Sequence, residues 1–349
     1  MKTSHFAIGL MSGTSLDGVD LAYVRFDESP ELSFEIIHAK TYFYEKKWYE
    51  KLSHAYHLNA DKLTKLNVDY GFYLGELINQ FINQFNIDKI DFISSHGHTV
   101  FHKPQERYTL QIGHGAAIAK VTGYKVVCDF RIQDVIRGGE GAPLVPIGDK
   151  MLFSEYDYCL NIGGFANISF DEHAIIKAQD LCPANILLNH FSRQKGLKYD
   201  EGGQLAKSGK INHQLLIELN SLPLYYKTNS LAFEHIQEIF LPLVDKYNLS
   251  IEDILRTLVE HIAIKISSIM NQNSTVLVTG GGVYNTFLID RIKDLSKSKI
   301  VIPPNVIIDY KEALIFALLG LLRLQNKNNI LSSVTHVNKD HTSGQVFFP

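Results

Sequence analysis

Cysteine is scarce: the 349 residues hold only Cys128, Cys159 and Cys182, far apart and never in C-x-x-C spacing. That excludes a disulfide framework and a cysteine-rich zinc site, and it points to a reducing, cytoplasmic setting. Long hydrophobic runs are missing too. The longest, Ala313 to Leu322, is about half of what spans a bilayer, which excludes a membrane protein. There is no basic excess: Lys+Arg 34 stands against Asp+Glu 37, a formal charge of -3. Nucleic-acid domains normally show a basic face or stripe, so a generic polyanion binder is excluded. Met1-Lys2-Thr3-Ser4-His5 leads straight into a strand-like segment, without the apolar core or small-residue cleavage site of a signal peptide. Low-complexity tracts and charge blocks are absent. Two nucleotide fingerprints are absent as well. Without G-x-x-x-x-G-K-[ST] the chain is not a P-loop enzyme, and without G-x-G-x-x-G opening a βαβ unit a dinucleotide fold is disfavoured.

What is present reads as globular α/β. Hydrophobics at 45% and charged residues at 20% suit a packed core, and 39.5 kDa suits two domains that share a cleft. Phe6 to Met11 and Val19 to Phe26 are apolar runs flanking a polar, glycine-bearing turn, which predicts a hairpin. A comparable unit recurs midway: Tyr158 to Ile162, then Gly163-Gly164, then Ile168 to Phe170. The recurrence predicts a duplicated architecture with one domain over residues 1–149 and a second over 150–349. The Gly/Pro-rich residues 138–148 are the expected neck, and the terminal helix is free to pack back on the first domain. Leu63, Leu66, Tyr70, Tyr73, Leu77 and Phe81 recur at spacings of three and four, an amphipathic helix with Asp61 as expected N-cap. Strands are expected over residues 90–93, 125–128 and 275–279, and helices near 110–120 and over 251–270.

Three glycine-bearing turns follow strands: Ser12-Gly13-Thr14-Ser15-Leu16-Asp17-Gly18, Gly163-Gly164 and Gly280-Gly281-Gly282. Glycine lets peptide N–H groups approach an anion closely, and the hydroxyls of Ser12, Thr14 and Ser15 add donors. Each turn alone reads as a tight hairpin; three together favour phosphate binding. His96, His98, His102 and His114 cluster within nineteen positions. A metal is disfavoured there against polar loop contacts. Asp129-Phe130-Arg131 with Asp134 follows a buried strand, where α/β ligands bind, although a structural ion pair is equally open. Asp180 is either a general base or a turn-capping Asp before Pro183. Cys182 reads as a small buried filler. Glu312 is either a charge matched to a helix start or a cleft residue, and general grounds favour the first.

Gly9-Leu10-Met11-Ser12-Gly13-Thr14-Ser15-Leu16-Asp17-Gly18-Val19-Asp20 closely resembles the opening signature of the anhydro-N-acetylmuramic acid kinases. The likeness continues through Ser95-His96-Gly97 and Asp129-Phe130-Arg131 with Asp134. It runs on through Gly141-Ala142-Pro143-Leu144-Val145-Pro146, Asn161-Ile162-Gly163-Gly164, the triple glycine and Glu312-Ala313, collinear over nearly the whole chain. The resemblance implies a two-domain actin/hexokinase-like fold with duplicated ribonuclease H-like cores and ATP between them. It implies a kinase that opens the 1,6-anhydro ring of anhydro-N-acetylmuramic acid with water and phosphorylates O6, in cell-wall recycling. By position, Asp180 matches the catalytic base, and Ser12, Gly13, Thr14, Ser15, Leu16, Asp17, Gly18 and Val19 the first phosphate loop. Gly163 and Gly164 match the second loop, and Gly280, Gly281 and Gly282 the adenosine loop. His96, Arg131, Asp134 and Glu312 are expected around the sugar. Mg²⁺ is expected with ATP, with Asp17 as its carboxylate. A homodimer is the assembly implied; membrane and nucleic-acid partners are not.

The chain departs from the family pattern in places. Leu181-Cys182-Pro183-Ala184-Asn185 stands for Thr-Gly-Pro-Gly-Asn, and His98 for Gln. Lys227-Thr228-Asn229-Ser230-Leu231 lacks the arginine of Lys-Ser-Thr-Gly-Arg. Two rivals follow from these departures: a related sugar kinase with another substrate, and a non-catalytic ATP-dependent sensor of the same fold.

Overall fold

A computed structural model describes residues 4–13, 16–226, 231 and 233–349. The first apolar run forms β1 (Ser4–Met11), and the chain returns antiparallel as β2 (Gly18–Asp27), with Met11 opposite Asp20. β3 (Ser33–Phe43) extends the meander antiparallel to β2. β4 (Phe92–Ser95) then joins β1 on its free side, parallel. β5 (His98–Lys103) and β6 (Tyr108–Ile112) make a separate hairpin, and β7 (Val126–Cys128) pairs parallel with β4.

The plan repeats in the second half. β8 (Tyr158–Ile162), β9 (Phe165–Glu172) and β10 (Ile175–Pro183) form an antiparallel meander. β11 (Thr275–Thr279) adds parallel to β8, and β12 (Lys299–Val301) parallel to β11. Both sheets read third, second, first, fourth, fifth strand across, with three antiparallel strands followed by two parallel ones. This is the duplicated ribonuclease H-like plan, and both expected hairpins are present. The last strand, β13 (Gln345–Phe347), closes the first sheet against β7.

Packing separates one unit, residues 1–152 with 310–349, from a second, residues 153–309. The chain thus re-enters the first unit inside the helix Asn305–Leu324, and the stretch expected as a neck ends in the short helix Pro146–Leu152. Each unit has its own core. The first gathers Ile8, Leu10, Leu21, Tyr70, Leu74, Ile78, Phe81 and Ile93; the second gathers Leu160, Ile162, Leu187, Leu255, Leu258, Ile262 and Val278.

The predicted amphipathic helix spans Ala60–Phe85 and buries Leu63, Leu66, Tyr70, Leu77 and Phe81. Its cap is Asn59, not Asp61. The extended Asn59 lets its side chain accept from the Lys62 N–H at 3.0 Å, while Asp61 is already in the first turn, where it only complements the dipole. The helix expected near 110–120 is Gly115–Thr122, and the long helix is Ile251–Ser267, capped by Ser250.

Candidate functional site

In the first unit the turn between β1 and β2 is pinned from beneath. Ser12 is fully buried, and its Oγ lies 2.7 Å from the hydroxyls of both Tyr44 and Tyr70. This hydroxyl was expected to face a phosphate; it is instead committed to the interior. The Tyr44 N–H donates to the Asp17 carbonyl at 3.3 Å, and Leu16 N–H to the Gly13 carbonyl at 3.4 Å. Leu16 has φ of 58°, a left-handed conformation unusual for leucine, so the turn is held in an uncommon shape. At Gly18 a Cβ would sit 2.5 Å from the Tyr42 carbonyl oxygen, so packing demands that glycine. Asp17 is exposed and Val19 buried. Thr14 and Ser15 lie outside the described residues.

Beside this turn, β4 delivers His96, whose N–H donates to the Leu10 carbonyl at 3.0 Å. Arg131 Nε donates to His96 Nε2 at 3.0 Å, so that nitrogen is an acceptor and the ring proton sits on Nδ1, 2.9 Å from the Gly97 carbonyl. Burial and the Arg131 charge hold His96 well below the usual imidazole range, so it is neutral. Arg131 also donates to the Gly141 carbonyl at 2.7 Å; burial lowers it to about 10, opposed by Glu312, and it keeps its charge. Glu312 is accessible yet crowded. Desolvation by surrounding protein raises its carboxyl, Asp20 adds to this, and Arg131 and Lys311 oppose it.

Glu312 is not at a helix start. The helix opens at Asn305, about two turns earlier, beyond the reach of the terminal dipole. What brings Glu312 to β1 is Gly9, where a Cβ would lie 1.9 Å from the Ala313 carbonyl oxygen. His96, Arg131 and Glu312 are therefore gathered together in this unit.

Asp134 lies deeper. It has no exposed surface; one carboxylate oxygen accepts from Gly141 N–H at 2.7 Å, the other from Thr335 Oγ at 2.9 Å. It supports the 139–141 loop from beneath, and neither an Arg131 pair nor an open binding position describes it. Of the histidines, His102 meets Thr109 at 3.0 Å and His114 caps the helix Gly115–Thr122. Burial lowers His98 to about 4. Among the described residues no group of three His, Cys, Asp or Glu could hold a metal ion.

In the second unit β8 and β11 lie side by side with Thr279 opposite Asn161, which sets the double and triple glycine turns together. Their glycines differ in purpose. Gly280 has φ of 83°, and Cβ atoms at Gly280 and Gly282 would come within 2.5 Å of Asn161 and 2.2 Å of Ile162. Structure alone demands these two. At Gly163, Gly164 and Gly281 a Cβ would meet nothing closer than 3.5, 3.7 and 3.9 Å. Packing against neighbouring atoms does not demand those three. The carbonyls of Gly163 and Gly164 accept from the amides of Asn185 and Ala184 at 3.1 and 2.8 Å, tying the turn to the start of the helix Asn185–Arg193.

Asp180 is within β10, paired with Asn167, so a turn-capping role is overturned. A bulge between Asp180 and Cys182 re-aims the strand at this point. The carboxylate accepts from the Leu231 N–H at 2.8 Å; burial raises its pKa and that hydrogen bond only partly opposes the rise. Cys182 is fully buried and its thiol is pushed up by desolvation, as suits a filler rather than a nucleophile. Behind it, Tyr225 meets His261 at 2.9 Å and His261 meets Asn220 at 2.7 Å. Residues 227–230, where the family's basic segment falls, lie outside the described residues.

The family profile described as anhydro-N-acetylmuramic acid kinase matches residues 5–349. The chain belongs to that family. It is similar to the anhydro-N-acetylmuramic acid kinases of Hydrogenovibrio crunogenus (34% identity over 99% of both chains) and Haemophilus influenzae (34%, over 99% of this chain and 98% of that one). A solved ROK family glucokinase from Streptomyces griseus, in complex with glucose and AMPPNP, aligns with 10% identity and a TM-score of 0.42 over 90% of this chain and 98% of that one.

Membership of the anhydro-N-acetylmuramic acid kinases makes the chain an ATP-dependent kinase of anhydro-amino sugar in cell-wall recycling. Among the described residues no helix is long and apolar enough to cross a membrane. Sequence reasoning missed two residues beneath the first turn: Tyr44 and Tyr70. Tyr70 was legible only as part of a core stripe.

Proposed function

We propose that Asp180 is the general base that takes the proton of the water attacking the anomeric carbon of anhydro-N-acetylmuramic acid. The observation that carries this reading is its setting: an aspartate on a bulged strand, partly buried, with its pKa raised and one N–H partner. Burial strengthens the base by making the proton welcome, and a bulge is a usual device for aiming one side chain. As water adds, the bond from the anomeric carbon to O6 breaks, and the freed O6 is the phosphoryl acceptor, giving N-acetylmuramic acid 6-phosphate. ATP would supply the γ-phosphoryl group: O6 attacks its phosphorus as the bond to the β,γ-bridging oxygen breaks and ADP leaves, and a bound Mg²⁺ would offset the phosphate charge.

The chain's own residues bind and orient. We assign residues 12–19 and Gly163-Gly164 to the phosphates and Gly280–Gly282 to the adenosine: Gly163, Gly164 and Gly281 leave room for a ligand's close approach, and residues 12–19 take their role from the resemblance of the opening segment. Asp17, exposed at the end of its turn, would be the carboxylate that meets a magnesium ion brought by the nucleotide. Neutral His96, charged Arg131 and accessible Glu312 face the amino sugar, and Asp134 positions the adjoining loop. The three cysteines are all buried, and their scarcity and spacing suit the cytoplasm. The homodimer that the resemblance implies is read by light scattering against 39.5 kDa for one chain.

A coupled ADP-release assay with the anhydro sugar tests the reading. Asp180→Asn is expected to lose about 10²- to 10⁴-fold in kcat with its ATP dissociation constant unchanged. Wild-type turnover in that variant overturns the assignment of the base. ATP binding without turnover in the wild type returns the chain to a sensor.

A further inference from the structure

Beneath the first turn three hydroxyls close a triangle: Ser12 to Tyr44 at 2.7 Å, Ser12 to Tyr70 at 2.7 Å, and Tyr44 to Tyr70 at 2.5 Å. Three hydroxyls bring three protons, one for each side, so the ring is satisfied without water. Ser12 and Tyr70 have no exposed surface. Aromatic rings wall the triangle: Trp48 stacks on Tyr73 at 4.4 Å and tilts against Tyr70 at 5.5 Å, and the His98 ring stands edge-on to Tyr70 at 6.3 Å. Burial raises both phenols, so they remain protonated donors at any working pH. Tyr44 makes a second contact through its own N–H, to the Asp17 carbonyl at 3.3 Å. One residue therefore holds both ends of the turn, its hydroxyl at Ser12 and its peptide at Asp17.

We propose that Tyr44 and Tyr70 are positioning residues for the phosphate-binding turn, and that Ser12 serves the nucleotide through its main chain while its hydroxyl is an internal anchor. A turn that binds phosphate with peptide N–H groups depends on their fixed direction. Here the described ends of the turn, Ser12 and Asp17, are tied from below through Tyr44 and Tyr70, and Leu16 between them is held in a left-handed conformation. The inference rests on the reading of residues 12–19 as a phosphate loop.

Tyr44→Phe, Tyr70→Phe, Ser12→Ala and the double variant Ser12→Ala/Tyr70→Phe test it. Phe keeps the ring and removes only the oxygen. Calorimetry with ATP, ADP and AMP is paired with KM and kcat for ATP and the sugar. Each single change is expected to weaken ATP and ADP roughly 5- to 50-fold, and the double no more than the worse single, because all remove one shared anchor. AMP binding and the sugar KM stay within about twofold. Lower thermal stability with unchanged ATP affinity reduces the triangle to packing and overturns the proposal. So does a loss in Ser12→Ala alone, with both tyrosine variants unaffected, since the hydroxyl is then the direct donor. If Tyr70→Phe does not fold, the less buried Tyr44→Phe decides. A wild type that binds AMP and ATP equally defeats the phosphate-loop reading itself, a result distinct from unaffected tyrosine variants.

Discussion

Asp180 and Arg131 show how a side chain's surroundings decide its chemistry. Burial favours the neutral form of Asp180, so its ionisation is lost as pH falls through a value above the ordinary aspartate figure of about 3.9. A base must be ionised. The acid limb of kcat against pH is therefore expected above that figure, and a flat profile down to about pH 4 contradicts the role. Arg131 is engaged by two different acceptors, His96 Nε2 and the Gly141 carbonyl, from two positions on one planar guanidinium. Lysine cannot reproduce both directions. Arg131→Lys is expected to raise the sugar KM about tenfold or more and leave the ATP KM unchanged, measured by steady-state kinetics. Both residues were legible in the sequence as motif members. Their partners were not, because nothing local to position 131 names His96 or Gly141.

At the level of elements, close approach does the positioning. β1 lies so near the helix Asn305–Leu324 that a methyl group at Gly9 would overlap the Ala313 carbonyl. Gly9→Ala is expected to lower stability by about 3 kcal/mol and to displace Glu312, read as a lower urea midpoint and a raised sugar KM. In the second unit Glu260, on the helix Ile251–Ser267, accepts from Arg256 at 2.8 Å and from Arg291 at 2.9 Å. Those hydrogen bonds, Arg291 first, hold its carboxyl below the usual glutamate range. The folded value is the lower one, so this stabilisation is present above the unfolded value of about 4.3 and is lost as pH falls through the folded one. Glu260→Gln is expected to cost about 3 kcal/mol at neutral pH and less as the pH drops, measured by denaturant unfolding. The 251–267 helix was plain from its apolar stripe. Asp180's place in a strand was not, since that depends on the pairing with Asn167 across β9.

Across the whole molecule, nucleotide binding and stability are linked. ATP at a hundred times its dissociation constant is expected to add about 2.7 kcal/mol, seen as a raised melting temperature, and Asp180→Asn retains that increment because it alters the base and not the phosphate turns. Equal melting curves with and without ATP contradict the assignment. By itself the sequence determined what depends on neighbours along the chain: apolar periodicity for the helices, glycine-bearing turns between apolar runs for both hairpins, and the repetition that predicts two similar cores. These signals are local, so a residue and its next few positions suffice. Only the tertiary structure decided the rest. Ser12 finds Tyr44 and Tyr70 across 32 and 58 positions, and Asp134 finds Thr335 across 201. Such contacts are fixed by strand order and by how closely a helix backbone can approach a glycine, and no short stretch of sequence contains that information.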